Sequence, residues 1–376
     1  MAKKLAFDRI LFTTVVVLVG LGLAMVYSAG AVVASQPGGR LDSMLLKQML
    51  AVAIGLVAMA LAMHVDYRFW SKRWVVWSIV FSVVALQVAA LLSPALNNSR
   101  RWLFLGPLSF QPSELAKIGL AVFLAYQIAK RADLDGKAAG PGFGPASGQT
   151  PGTGLILPTA LIAGPMAALV LLGRDLAGAA LVAMVAGLML FLAGMPWSQL
   201  AVGAATLTPL VASAILWEPY RRQRMLAFLH PEADPLGWGF QASQSLIAVG
   251  SGGIFGRGLG KGLQKLYFLP YPHSDFVFAI VGEELGLVGA LGVVGLFGLF
   301  LWRGMRAGFR APDDFGRYLA WGLTGVVVLQ ALFHISVAIA LLPTTGMTLP
   351  FISYGGSSMV VCLAASGAIL NISQHG

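Results

Sequence analysis

The sequence predicts an all-α fold: a polytopic integral membrane protein with ten transmembrane helices and a long extracytoplasmic loop between helices seven and eight. Three observations carry that expectation. The 376 residues are 57% hydrophobic and only 11% charged, with a mean hydropathy of +0.80, where a soluble domain carries about 25% charged residues. Apolar runs near the bilayer-spanning length of about 20 residues recur along the whole chain, and a helix lets such a run satisfy its own backbone in lipid. Basic residues gather in alternate connections, the mark of cytoplasmic loops.

The runs fall at about 10–32, 46–64, 74–92, 114–129, 155–172, 176–194, 198–217, 280–302, 318–342 and 356–373, so residues 1–376 read as a single transmembrane domain. The first is expected to be retained, since no small-residue cleavage site follows a short apolar core. Cys362, the only cysteine, falls in the last run, which excludes a disulfide framework and a cysteine-based metal site. Residues 130–154 are rich in Gly, Pro and Ser and read as a flexible cytoplasmic linker without chemistry.

With ten spans both termini share a side, and Lys3, Lys4 and Arg9 mark it as cytoplasmic. Arg68, Lys72 and Arg73, then Lys130, Arg131 and Lys137, then Arg303, Arg306, Arg310 and Arg317 fall in loops on that same side, making 13 of the 25 basic residues. Six of the others lie in the long outer loop, about 218–279, where the rule has little force. Arg40 and Lys47 read as solvated charges or headgroup anchors. The remaining outer cations suit an anion such as phosphate or pyrophosphate.

Charged residues inside or beside the spans are the candidates for chemistry. "PSELAKIGLAVFLA" puts Glu114 and Lys117 three apart on one helix face; the pair either borders a polar cavity or snorkels to the interface. "LLGRDLAGAA" puts Arg174 and Asp175 at a sharp junction, where they either pair with each other or serve a cavity. The Gly-rich run 250–262, with Arg257 and Lys261, offers backbone N–H groups to a phosphate, or forms a tight re-entrant turn. In "LPYPHSDFVFAIVGEELG", Asp275 follows two prolines where the loop returns to the membrane, ahead of Glu283 and Glu284. Its carboxylate is either a partly desolvated general base or, with Ser274, a cap of the next helix. These residues fit an enzyme acting on a lipid phosphate and fit a transporter equally.

Several stretches together resemble the SEDS family, the shape, elongation, division and sporulation proteins that include FtsW, RodA and SpoVE. They are "SRRWLFLGPLSFQPSELAKIGLAVFLA" (99–125), "DPLGWGFQASQSLIAVGSGGIFGRGLGKGLQKLYFLP" (234–270), "HSDFVFAIVGEELGLVGALGV" (273–293) and "LLPTTGMTLPFISYGGSSMV" (341–360). They occur in family order and span nearly the whole chain, and "FISYGGSS" leans towards the FtsW branch. The resemblance implies a peptidoglycan glycosyltransferase of the bacterial cytoplasmic (inner) membrane, acting on lipid II outside the cell. It implies a class B penicillin-binding protein as partner, with other divisome or elongasome membrane proteins, and no nucleic acid. Asp275 matches the family's essential acid. Arg101, Glu114, Lys117 and Asp175 match polar positions at its cavity, and His273, Ser274, Ser357 and Ser358 lie in its motifs as substrate-binding candidates.

The chain departs from the family pattern in having Tyr271 and Pro272 before "HSD", Ser274 for Thr, and His334 where Asn is common; His334 reads as a neutral, hydrogen-bonded helix residue. The mechanism expected is attack of an acceptor hydroxyl, with Asp275 as base, on a polyprenyl-pyrophosphate donor whose leaving charge meets Arg101 and Lys117, Glu114 orienting the lysine. A divalent cation, Mg or Mn, could assist, though no ligand cluster demands one. A lipid II flippase and a non-catalytic scaffold for the transpeptidase are the alternative readings.

Overall fold

Each of the ten apolar runs forms a helix in the computed structural model, which describes residues 7–34, 41–95, 99–105, 108–134, 152–230, 237, 239–266 and 268–376. Lys3, Lys4, Arg40 and Lys137 lie outside the described residues. These helices are α1 (Arg9–Ala34), α2 (Leu41–His64), α3 (Arg73–Leu92), α4 (Pro112–Leu134), α5 (Gly152–Leu172), α6 (Leu176–Leu192), α7 (Trp197–Trp217), α10 (Val277–Arg310), α11 (Asp314–Ala338) and α12 (Gly356–Ser373). Eight of them are long and apolar enough to cross a membrane. The other two fall short for visible reasons. Glu114 and Lys117 interrupt α4 at one end and Lys130, Arg131 and Asp133 at the other, while α6 has only 17 residues. The expected linker shrinks at both ends, because α4 runs on to Leu134 and α5 begins at Gly152.

The long loop carries helices of its own. It contains α8 (Pro219–Leu229) and α9 (Phe240–Ser251), and between α3 and α4 stands a hairpin of β1 (Leu103–Leu105) and β2 (Leu108–Phe110), antiparallel with Leu103 opposite Phe110. The bundle centre is α11 and α12, each 72% buried over its span. Helices in lipid gain little from hydrophobic exclusion and associate by close packing and internal hydrogen bonds, so centrality follows the small and polar residues: α11 buries Gly316, Gly322, Thr324, Gly325, Gln330 and His334. At the other extreme α7 buries no residue and packs chiefly on α6 and α8.

The Gly-rich run proves to be the turn rather than the phosphate cradle. N–H groups in it and just after it already have anionic partners: Gly260 donates to Glu284 (3.0 Å), and Leu263 (2.7 Å) and Gln264 (3.2 Å) donate to Glu283. Both glutamates are fully buried. Lys265 completes the lock, its Nζ 2.6 Å from Glu284 and 2.7 Å from Ser28 on α1. The turn also splits α10. Gly286 breaks the helix at φ 69, ψ −166, a conformation open essentially to glycine, and Leu287 and Val288 donate instead to Gly253 (2.9 Å) and Ile254 (3.1 Å) of the turn.

Candidate active site

The site forms where three connections meet: the loop before α10, the junction of α5 with α6, and the segment between α11 and α12. That last segment re-enters the bundle, burying Leu349, Phe351 and Ile352 almost completely. Among the described residues four that are not glycine carry positive φ, namely Arg174, Tyr271, Ala340 and Phe351, and all four belong to these three connections. Such backbone strain costs stability and gathers at functional sites.

Asp275 stands just before α10 and does not cap it: the cap position is Phe276, with no side-chain hydrogen bond. The capping alternative for Ser274 and Asp275 therefore falls. Asp275 Oδ2 and Arg101 Nη2 converge on Gly346, where a Cβ would stand 3.4 Å from the first and 3.5 Å from the second. Burial pushes the Asp275 carboxyl up to about 6, against the pull of the Ser274 hydrogen bond and the charges of Arg101 and Arg224. Burial also holds His273 at about 4 and so neutral. Its ring meets Tyr354 edge-on at 5.7 Å, and its carbonyl accepts the Tyr354 N–H at 2.9 Å. The Ser274 carbonyl accepts from Ser353 Oγ at 2.7 Å, fixing the "HSD" turn to the re-entrant segment.

Asp175 caps α6, its Oδ1 accepting the Gly178 N–H at 2.8 Å, and also faces Arg101 Nη1 at 3.8 Å and Gln111 Nε2 at 3.0 Å. Arg174 turns away to Glu218 at 3.7 Å, so these neighbours in sequence do not pair with each other. Asp175 thus aims Arg101 at the Asp275 slot.

Glu114 and Lys117 do pair, at 2.9 Å, but inside the bundle rather than at its interface. Lys117 is 2% exposed and also donates to Gln330 Oε1 at 2.5 Å; Gln330 Nε2 in turn reaches the Thr348 carbonyl (3.0 Å) and Ser358 Oγ (3.2 Å). Lys117 thus gives two of its three N–H donors to protein partners beneath the re-entrant segment. Ser357 is similarly committed, accepting from Gln111 N at 3.0 Å and donating to the Ser109 carbonyl at 3.2 Å.

The structure adds a residue that sequence reasoning passed over. Arg224 of α8 donates to the Thr344 carbonyl at 3.0 Å, stacks 4.6 Å from the Tyr220 ring centre, and acts on Asp275. In "YRRQR" nothing distinguished it from Arg221 and Arg222. Gln330 was missed because a scan for charges in apolar runs passes over a neutral amide. His334 is as expected, Nδ1 lying 2.7 Å from the Met347 carbonyl. Around Asp275 several buried polar atoms have no hydrogen-bond partner among the described residues: Arg101 Nε, Arg224 Nε, His273 Nδ1 and Thr345 Oγ1. Buried polar atoms are paired in the great majority of cases, so this concentration marks a place prepared for a polar ligand.

Fold and site together define a multi-pass helical membrane protein whose polar centre is one aspartate between two arginines, at the level where the connections meet the bundle. The comparisons identify the group. The family model described as "Cell cycle protein" (FtsW/RodA/SpoVE) matches residues 8–376, and the chain belongs to that family. It is 37% identical over 377 residues to a probable peptidoglycan glycosyltransferase FtsW of Geobacter sp. (strain M18), covering 100% of this chain and 99% of that protein. It is also 37% identical to stage V sporulation protein E of Bacillus subtilis (strain 168), covering 99% and 98%. Among solved structures it resembles, at TM-score 0.75 and 33% identity over 98% of both chains, a chain of a peptidoglycan synthase complex that coordinates polymerization and crosslinking.

Proposed function

We propose that the chain is a peptidoglycan glycosyltransferase that polymerises lipid II, the undecaprenyl-pyrophosphate-linked disaccharide pentapeptide, with Asp275 as general base. The observation that carries this reading is a half-buried carboxylate, raised to about 6, set beside two arginines whose Nε donors have no partner among the described residues. Near neutral pH such a group is ionised yet basic enough to take a proton. An acceptor sugar hydroxyl gives its proton to Asp275 as its oxygen bonds to the anomeric carbon of the donor. The bond from that carbon to the pyrophosphate breaks, its electron pair leaves with the pyrophosphate, and the anomeric centre inverts. Arg101 and Arg224 receive the growing negative charge. Asp175 positions Arg101, while Lys117, Glu114, Gln330 and Ser358 hold the re-entrant segment that supports the site.

The same reading sets all ten span helices across the bacterial cytoplasmic membrane, with both termini in the cytoplasm and Asp275 outside. The 13 basic residues in the loops assigned to the cytoplasm support it. The polyprenyl tail reaches the site from the bilayer beside α7, which buries none of its residues. A class B penicillin-binding protein is the partner, supported by the likeness to a synthase complex that couples polymerization to crosslinking. Among the described residues no three His, Cys, Asp or Glu side chains gather to hold a metal ion, so a Mg or Mn ion would arrive with the pyrophosphate.

The test is polymerisation of purified lipid II by the chain co-purified with its penicillin-binding partner, wild type against Asp275→Ala. Polymer from the wild type alone is expected. Equal polymer from both moves the base elsewhere. No polymer from either, with the complex folded and lipid-bound, favours a transporter or a scaffold.

A further inference from the structure

At the end of the bundle opposite Asp275 lies a second polar cavity, of about 160 Å³, lined by Asp8, Arg303, Arg306, Ala307, Arg310, Ser373 and Gly376. It sits where α1 begins and where α10 and α12 end. We propose that this pocket binds the phosphate of an anionic phospholipid.

The lining brings three arginine side chains against one aspartate. That aspartate is already committed. Asp8 Oδ1 accepts the Leu11 N–H at 3.0 Å, and Oδ2 takes Arg303 Nε at 2.7 Å and Nη2 at 2.5 Å. Ser373 is committed as well, accepting from Asp8 N at 3.2 Å and donating to the Leu370 carbonyl at 2.7 Å. Arg306 and Arg310, one turn apart, are left facing the cavity with no acidic partner among the described residues. Two other aspartates at this end are engaged elsewhere: Asp313 with Tyr67 and Arg68, Asp314 with Arg317. Two guanidinium groups lining a polar cavity suit a phosphate diester, to which arginine donates in pairs.

The surroundings select a lipid as the source of that phosphate. Ile10, Leu301, Trp302 and Phe309, on the same ends of α1 and α10, are exposed apolar side chains. The Arg303 guanidinium lies 5.4 Å from the Trp302 ring centre, and tryptophan at a helix end is a mark of the headgroup layer. A phosphate in the cavity therefore has acyl-accepting surface beside it, which a soluble anion or an acidic peptide would leave unused. Basic pockets between membrane helices hold anionic headgroups for this reason. In the orientation proposed above, the lipid belongs to the cytoplasmic leaflet, and it would clamp α1, α10 and α12 together at the end remote from the chemistry.

The test is native mass spectrometry of the delipidated full chain titrated with phosphatidylglycerol, and with phosphatidylethanolamine as the zwitterionic control. Each interfacial arginine contributes about fivefold to anionic lipid affinity. Arg306→Gln with Arg310→Gln is therefore expected to weaken the tightest phosphatidylglycerol adduct about twenty-five-fold and to leave phosphatidylethanolamine adducts unchanged. Equal phosphatidylglycerol binding by variant and wild type overturns the proposal. So does displacement of the lipid by millimolar inorganic phosphate, which would make free phosphate the ligand, or by an octaglutamate peptide, which would make the pocket a site for an acidic protein tail. Melting in lipid-free detergent checks that the double variant is folded; if it is not, Arg310→Gln alone, at an exposed position, is read by the same criteria at about fivefold.

Discussion

Replacing Arg224 with Gln tests the electrostatic assignment of Asp275 most directly. The carboxyl sits at about 6 because burial raises it while Ser274, Arg101 and Arg224 hold it down. Removing one of the two guanidinium charges should raise it by about one unit, the low end of what a neighbouring opposite charge does. With the group moved from about 6 to about 7, its ionised fraction at pH 6 falls from about one half to about one tenth, and at pH 8.5 it barely changes. The assay is lipid II polymerisation by the chain and its partner between pH 5 and 9. The acid limb of the profile should move about one pH unit towards alkali, giving about a fivefold loss at pH 6. This shift should be superimposed on whatever uniform loss follows from weaker pyrophosphate binding. Arg224→Lys, which keeps the charge, should leave the limb in place. A uniform loss in Arg224→Gln with the limb unmoved would refute the idea that this arginine tunes Asp275.

Three further outcomes follow from the same geometry. Asp275→Asn should abolish polymerisation yet melt at or above the wild-type temperature; because folding raises this carboxyl from 3.8 to about 6, the wild type should gain stability as pH falls through that window, and the variant should not. Lys265→Met should destabilise the fold by about 3–5 kcal/mol by leaving Glu284 buried and unpaired, and adding Glu284→Gln should restore much of it; equal melting of the single and double variants would deny the coupling. Gly346→Ala should be tolerated, since its Cβ meets Asp275 and Arg101 at 3.4 and 3.5 Å, whereas Gly346→Val should block activity without unfolding. Active Gly346→Val would mean that substrate does not use the slot between those side chains.

How much of this was legible in the chain depends on range. A run such as 197–217 announces its helix by composition, because in lipid the backbone has nowhere else to bond. Asp275 stood out as a candidate because a carboxylate at the threshold of an apolar run has few innocent uses, and its motif resembles a known one. The partners of these groups were not legible. Glu114 and Lys117, three apart, pair as the helix dictates, but that they hold Gln330 and, through it, Thr348 depends on α4 packing against α11. Arg174 and Asp175 are neighbours in sequence and still part company, one to Glu218 and the other to Arg101. The Gly-rich run carried the composition of an anion site, and it does bind anions, but they are Glu283 and Glu284 of the same chain.

The amino-acid sequence by itself determined the helices, their number of apolar runs and the family, because length, hydropathy and short motifs are local properties. The tertiary structure alone decided which cation serves which anion. A buried charge must find a partner wherever the packing brings one, and in this bundle the decisive partners stand on other helices: Arg224 beside Asp275, Asp175 behind Arg101, and Lys265 against Glu284.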